Sequence, residues 1–213
     1  HGLFKASADE KKRYGEDEFG MGCILARNIV EADAGCHFVY IYDGDKWDHH
    51  SYIFDRNRSS NHYYTCNRLD KGLTALIEDL SSKPGNQPGK TLLDDTMIVC
   101  SSEFGRTPWM NPVAGRDHYR DVYSTLWVGG GVKGGRVIGK TDEQAAKVVD
   151  TGWNHKEQPF MDNIVATIYS ALGIDWKKQI SNTPSGRGYE YIQTAPVGGA
   201  EFISNDEIAP LFE

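Results

Sequence analysis

The sequence has no run of about 18 or more apolar residues, the minimum for a membrane-crossing helix, no basic stripe and no closely spaced pair of cysteines. The first absence excludes a membrane span. The second, with a formal net charge of -7, excludes a nucleic-acid partner, because phosphate backbones demand clustered Lys and Arg. The third excludes a structural zinc knuckle, since Cys23, Cys36, Cys66 and Cys100 form no CxxC spacing. Those four cysteines fit two disulfides or four free thiols equally, so they leave the redox compartment open. The start at His1 in place of Met reads as removed upstream sequence or as a start inside a longer protein.

What is present suits a folded domain. With 213 residues, 39% apolar and 11% aromatic, the chain can bury a full core, and a single α/β domain over 1–213 is expected, with an irregular tail over 192–213. The first dozen residues, ending in Asp9-Glu10-Lys11-Lys12-Arg13, read as a surface approach segment. A helix is predicted from Glu16 to Ala34, where apolar residues recur near a helical period and Gly35 supplies a stop. Cys36 to Tyr42 is β-branched and aromatic and predicts a buried strand, followed by a turn at Asp43-Gly44-Asp45. A second helix carries Leu69, Leu73, Leu76, Ile77 and Leu80 on one stripe, expected to pack on a sheet.

Further along, Thr96 to Ser101 and Tyr123 to Val128 predict two more strands, and Pro159 to Leu172 a third helix closed by Gly173. The glycines between Gly129 and Gly139 match neither a dinucleotide nor a Walker pattern and read as turns. Helix and strand alternate, which favours a mainly parallel sheet with helices on both faces. In that architecture ligands gather at the carboxyl ends of strands.

Three segments there concentrate metal-ligand residue types. If Asp48-His49-His50 is extended, Asp48 and His50 point to one side and His49 to the other. A carboxylate and an imidazole make two thirds of a catalytic metal site, and His118 is a candidate for the third ligand. Glu103, at the end of the second strand, is a hard oxygen donor for a neighbouring second ion, and two such ions clamp attacking and leaving oxygens. Arg106 and Arg116 are candidates for holding an anionic substrate. Each residue also has a plainer reading. The His-His pair suits a solvated turn, Glu103 a cap or salt bridge, His118 an oriented surface imidazole, and each arginine a local carboxylate partner. Carboxylate and imidazole donors suit divalent zinc, manganese or iron about equally.

The run from Asp94-Asp95-Thr96 through Glu103-Phe104-Gly105-Arg106-Thr107-Pro108, with Gly115-Arg116-Asp117-His118-Tyr119, resembles a bacterial sulfatase-like family. That family is a domain of unknown function, numbered fifteen-oh-one, within the alkaline phosphatase superfamily. Gly129 to Gly135, Val137-Ile138-Gly139, Ala166 to Tyr169, Ala171 to Asp175 and the early Arg13-Tyr14-Gly15 and Leu25-Ala26-Arg27 fit it too, so the resemblance runs along essentially the whole chain.

The resemblance implies the C-terminal portion of an alkaline phosphatase/sulfatase fold and a metal-dependent hydrolase of phosphate or sulfate esters. It implies Asp48, His50 and His118 as ligands of a first metal, zinc or manganese, and Glu103 as a ligand of a second. It also implies a small anionic ester or a sulfated or phosphorylated glycan as substrate, and an exported, periplasmic or cell-surface setting. There are departures. Lys46-Trp47-Asp48-His49-His50 stands where the family has Gly-Trp-Asp-Thr-His, Phe104 stands at a histidine ligand position, and Tyr119 replaces a Trp. The family's N-terminal Gly-Gly-x-Ser-His-x-Asp segment, which would carry the nucleophile region, is not in the sequence. The chain is therefore expected to be a fragment, a processed product or one piece of a larger protein, inactive alone, with a separate N-terminal half as a candidate partner. The alternatives are a non-catalytic surface or scaffold protein that keeps the fold, and a binding module for anionic glycans.

Overall fold

The computed structural model describes residues 2–43, 47–192 and 206–213. The predicted turn at Gly44-Asp45 and residues 193–205 of the expected tail lie outside that set. The chain forms two compact units, His1–Gly131 and Val132–Glu213.

The first unit begins with a helix where the sequence reading expected only a surface approach. Helix α1 (Ala8–Tyr14) starts with a capping box, in which the Glu10 amide donates to Ser7 Oγ at 3.2 Å and the Ser7 amide to Glu10 Oε2 at 2.8 Å. The charged run misled because its lysines are exposed, while Glu10 and Arg13 reach the inner groups Arg27 and Asp79 and Tyr14 at the end of the helix is fully buried. Replacing Ser7 by Ala is expected to lower unfolding stability by about 1 kcal/mol. Equilibrium urea denaturation checks this, and an unchanged midpoint would mean the cap contributes nothing.

Helix α2 (Glu18–Ala32) is capped by Asp17, whose Oδ1 accepts the Gly20 amide at 3.0 Å, and it ends at Asp33 in left-handed backbone. Helix α3 (His62–Ser82) is capped by Asn61. The three helices enclose Tyr14, Cys23, Ile24, Ala75, Leu76 and Leu80. The leucine stripe of α3 therefore packs chiefly on helices. Its buried face carries Thr65, Arg68, Gly72, Ala75 and Asp79 beside Leu76 and Leu80, while Leu69, Leu73 and Ile77 are only partly buried. Gly72 allows this close approach, because a Cβ there would lie 2.8 Å from the Phe19 ring.

Asp79 is the polar hub of the bundle. It accepts from the Tyr14 hydroxyl at 2.6 Å, from Arg27 Nη1 at 2.8 Å and from Arg13. Arg68, also buried, pairs with Asp17 at 3.3 Å and Asp43 at 3.0 Å.

The strands differ from the expected pattern. Strand β1 (Met97–Cys100) pairs antiparallel with β4 (Leu126–Gly129), Ile98 opposite Val128. Strand β2 (Gly105–Arg106) pairs antiparallel with β3 (His118–Tyr119), Arg106 opposite His118. All named ladders of the described residues are two-stranded and antiparallel, with no parallel pair among them. Residues 36–43 form no strand. Ile41 packs on the helical core, whereas Phe38, Tyr40 and Tyr42 are exposed. Strand-favouring side chains do not make a strand without a neighbouring ladder. After β4 the chain turns through Gly129, Gly130 and Gly131 with φ of 73°, 54° and 84°, a left-handed run that glycine alone adopts easily.

The second unit holds β5 (Lys140–Thr141) against β6 (Val148–Asp150), β7 (Gln179–Ile180) against β8 (Tyr189–Glu190), and helix α4 (Met161–Ala171). Its core contains Ala166, Trp176 and Ile192. The buried Asn163 side chain joins this helix to the chain end by accepting the Phe160 amide and donating to the Asp206 carbonyl. Part of the expected irregular tail is ordered, since Ala209–Leu211 forms a 3-10 turn with Leu211 buried. All four cysteines are free thiols. No helix among the described residues is long and apolar enough to cross a membrane.

Candidate metal centre

Two loops of the first unit, residues 47–54 and 107–117, are zipped together by backbone hydrogen bonds. The Tyr52 amide donates to Val113 O, Ile53 to Ala114 O and Arg116 to His49 O, each at 3.0 Å. Where they cross, the first loop lies directly against Gly115, with no room for a side chain. A Cβ at that position would stand 2.1 Å from both the carbonyl carbon and oxygen of His50.

This contact brings together residues far apart in sequence. His50 Nε2, His118 Nε2 and Asp48 Oδ1 lie 3.0 Å from one another, a triangle with equal edges. They form the one group of at least three potential metal ligands whose donor atoms converge among the described residues. Each of the three side chains is about half exposed. The adjacent His49 faces the other way, buried, with Nε2 against the Ser60 carbonyl and Nδ1 without a hydrogen-bond partner among the described residues. Backbone alternation in the loop thus divides the two histidines between surface and interior.

The donor set is suited to a cation. A neutral imidazole has one N–H. If both Nε2 atoms carry hydrogen, the His-His edge sets donor against donor. If either lacks it, that nitrogen sets a lone pair against the Asp48 carboxylate. No neutral assignment satisfies all three edges, whereas a positive ion shared by the three atoms does. One carboxylate and two imidazoles are also a known type of catalytic zinc ligand set.

Of the other residues singled out from the sequence, Arg106 is at the triangle. Its Nη2 donates to Asp48 and its Nη1 to the Arg116 carbonyl at 3.1 Å. The Arg106 hydrogen bond, then that of His118, holds the Asp48 carboxyl at about 2, well below its ordinary value. Arg116 does not reach the triangle. It donates to the Thr107 carbonyl at 3.0 Å, and its guanidinium lies 5.9 Å from the centre of the Phe54 ring. Glu103 is exposed and outside the donor cluster. Its neighbour Phe104 lies against His118, with ring centroids 4.1 Å apart.

Two residues have no role toward His50 that the sequence shows: Asp117, notable there only beside His118, and Asn111. Asp117 Oδ1 faces His50 Nδ1 at 3.0 Å, and Asn111 Nδ2 donates to that same oxygen at 3.0 Å and to the His50 carbonyl at 2.9 Å. The His50 and Asn111 hydrogen bonds lower the Asp117 carboxyl. A signal was available in Asn111-Pro112, a turn opener just before Gly115, but it says nothing about which side chain the turn supports.

A family model described as "Protein of unknown function (DUF1501)" matches residues 3–195. No curated protein matches the chain, and no solved structure does.

Proposed function

Because the chain belongs to this family of proteins of unknown function, which it matches over residues 3–195, we propose a function from the site itself: Asp48, His50 and His118 hold one divalent transition metal for the hydrolysis of a phosphate or sulfate ester. The observation that carries this reading is the 3.0 Å triangle of one carboxylate oxygen and two imidazole nitrogens. The likeness of Glu103-Phe104-Gly105-Arg106 and Gly115-Arg116-Asp117-His118 to the alkaline phosphatase superfamily supplies the reaction class. The same likeness supplies the parallel-sheet fold and the exported setting as parts of the proposal.

Such an ion would supply Lewis acidity toward a phosphoryl or sulfuryl oxygen. This chain's residues would hold the ion and the anion, with the nucleophile proposed to come from a separate N-terminal half. Arg106 fixes the Asp48 carboxylate from the side and leaves a positive charge beside the site for an anionic ester. Phe104 covers one face of His118, where it limits that ring's rotation and access of water. Zinc and manganese are the ions proposed.

Elemental analysis after removal of loosely bound ions tests the site. About one transition metal per chain is expected in the wild type, and none in Asp48→Ala or His118→Ala. Full occupancy in both variants would sink the ligand assignment. Saturable, metal-dependent cleavage of an aryl phosphate or aryl sulfate, measured with the nucleophile-bearing half that this reading requires present, then tests the reaction.

A second reading rests on the Phe104 ring against His118. An aromatic side chain where a second ion's ligand would stand suits a protein that keeps the metal and binds anionic glycans without cleaving them. Retention on sulfated but not neutral polysaccharide, with no turnover, would favour it.

A further inference from the structure

We infer that Asp117 and Asn111 are positioning residues which set the tautomer of His50 and so prepare its Nε2 as a metal donor. The inference rests on the metal reading above. The argument begins at the ring. His50 has its Nδ1 3.0 Å from Asp117 Oδ1 and its Nε2 in the donor triangle. An ionised carboxylate only accepts hydrogen bonds, so Nδ1 carries a hydrogen. Asp48 Oδ1 stands equally close to Nε2, at 3.0 Å, and a metal ion shared in the triangle is what lets Nε2 keep its lone pair.

Asp117 in turn is held in place. Asn111 Nδ2 donates to Asp117 Oδ1, and the Asp117 amide donates to Thr107 Oγ1 at 3.2 Å. Thr107 is buried. Asn111 uses both ends of its amide. Nδ2 also reaches the His50 carbonyl, while Oδ1 accepts the Val113 amide at 3.1 Å and the Gly115 amide at 2.9 Å. Through these contacts one side chain fixes the Asn111–Gly115 turn, the carboxylate that faces His50 and the main chain of His50 itself. Partners of this kind fix ring orientation and raise the basicity of the liganding nitrogen, and their loss costs about 10–100-fold in metal affinity.

The experiment uses the metal-free protein first. Long-range proton–nitrogen correlation spectra of the 15N-labelled chain assign the His50 tautomer directly, without any ion. The wild type is expected to show hydrogen on Nδ1. Asp117→Ala is expected to move it toward Nε2, whereas Asp117→Asn, which can still accept through its amide oxygen, should keep much of the wild-type pattern. Zinc affinity, from competition with a chelator, should then fall about 10–100-fold in Asp117→Ala and less in Asp117→Asn. If Asp117→Ala does not fold, the wild-type spectrum and Asp117→Asn still decide. An Nδ1 without hydrogen in the wild type, or equal zinc affinity in wild type and variants, would overturn the positioning role and leave the metal site standing. A wild type with the Nδ1 hydrogen and no affinity for zinc would overturn the metal reading instead.

Discussion

Gly115→Ala is expected to lower folding stability by about 3 kcal/mol, the upper end of the usual cost of overpacking, and to release the bound ion. A methyl group there would stand 2.1 Å from the His50 carbonyl and 2.4 Å from the Ser51 amide. These are backbone atoms, which cannot rotate aside as a flexible side chain would. Either the loops separate or the fold opens, and both outcomes displace His50, which carries a corner of the triangle. Urea denaturation combined with zinc retention measures the two effects together. A variant with a wild-type midpoint and a held ion would mean that the loops do not touch as described.

The second large effect is expected at Asp79. Asp79→Ala leaves the Arg27 guanidinium and the Tyr14 hydroxyl buried without their shared acceptor. Removing one partner of a buried ion pair costs about 3–5 kcal/mol. A loss near the lower end, about 3 kcal/mol by urea denaturation, is expected here, because Arg27 keeps Glu10 and Glu31 while the Tyr14 hydroxyl loses its acceptor.

The pH dependence follows from the same hub. Burial alone would raise the Asp79 carboxyl, but hydrogen bonds from Tyr14, Arg27 and Arg13 outweigh it and hold it at about 2. Its value in the unfolded chain is the ordinary 3.8. The unfolded state therefore takes up the proton first as the medium acidifies. The stabilisation is complete above the unfolded value and is lost as pH falls from about 4 to about 2. Glu10, held at about 2 first by the Ser7 amide and next by Arg27, adds to the same acid loss. Unfolding midpoints across this range should fall less steeply in Asp79→Ala than in the wild type. Equal slopes would show that Asp79 is not the group being titrated.

Local pattern was enough for much of the fold. The helical periodicity of residues 16–34, the leucine repeat in α3 and the apolar run at Met97–Cys100 each mark an element, because each buries one side against the core. The capping box Ser7-x-x-Glu10 was equally readable, yet the charges around it drew attention to the exposed face of α1. Residues 36–42 show the opposite error. Their side chains suit an extended backbone, but a ladder is a property of two segments, and none of the described neighbours pairs with this one.

The buried Arg68 and Asp79 were out of reach for a similar reason. A charged residue is buried only when distant partners compensate it, here Asp17 and Asp43 for one, Tyr14, Arg13 and Arg27 for the other. The candidate site divides along the same line. Asp48, His50 and His118 stand out by residue type and by alternation along the loop. Arg116 has an equally suggestive type, but its direction is set by the Thr107 carbonyl, which composition does not reveal. Asn111 acts only through tertiary contacts, so nothing local distinguishes it from any turn asparagine.

The triangle joins Asp48 to His118 across 70 positions of sequence, and α3 lies wholly between them. An ion shared by those side chains would act on the chain as a staple, closing a long loop much as a disulfide does. Closing a covalent loop of that length removes on the order of 4 kcal/mol of conformational freedom from the unfolded ensemble. A chelator would then behave as a mild denaturant, felt as far away as the helix packing around Leu76 and Leu80.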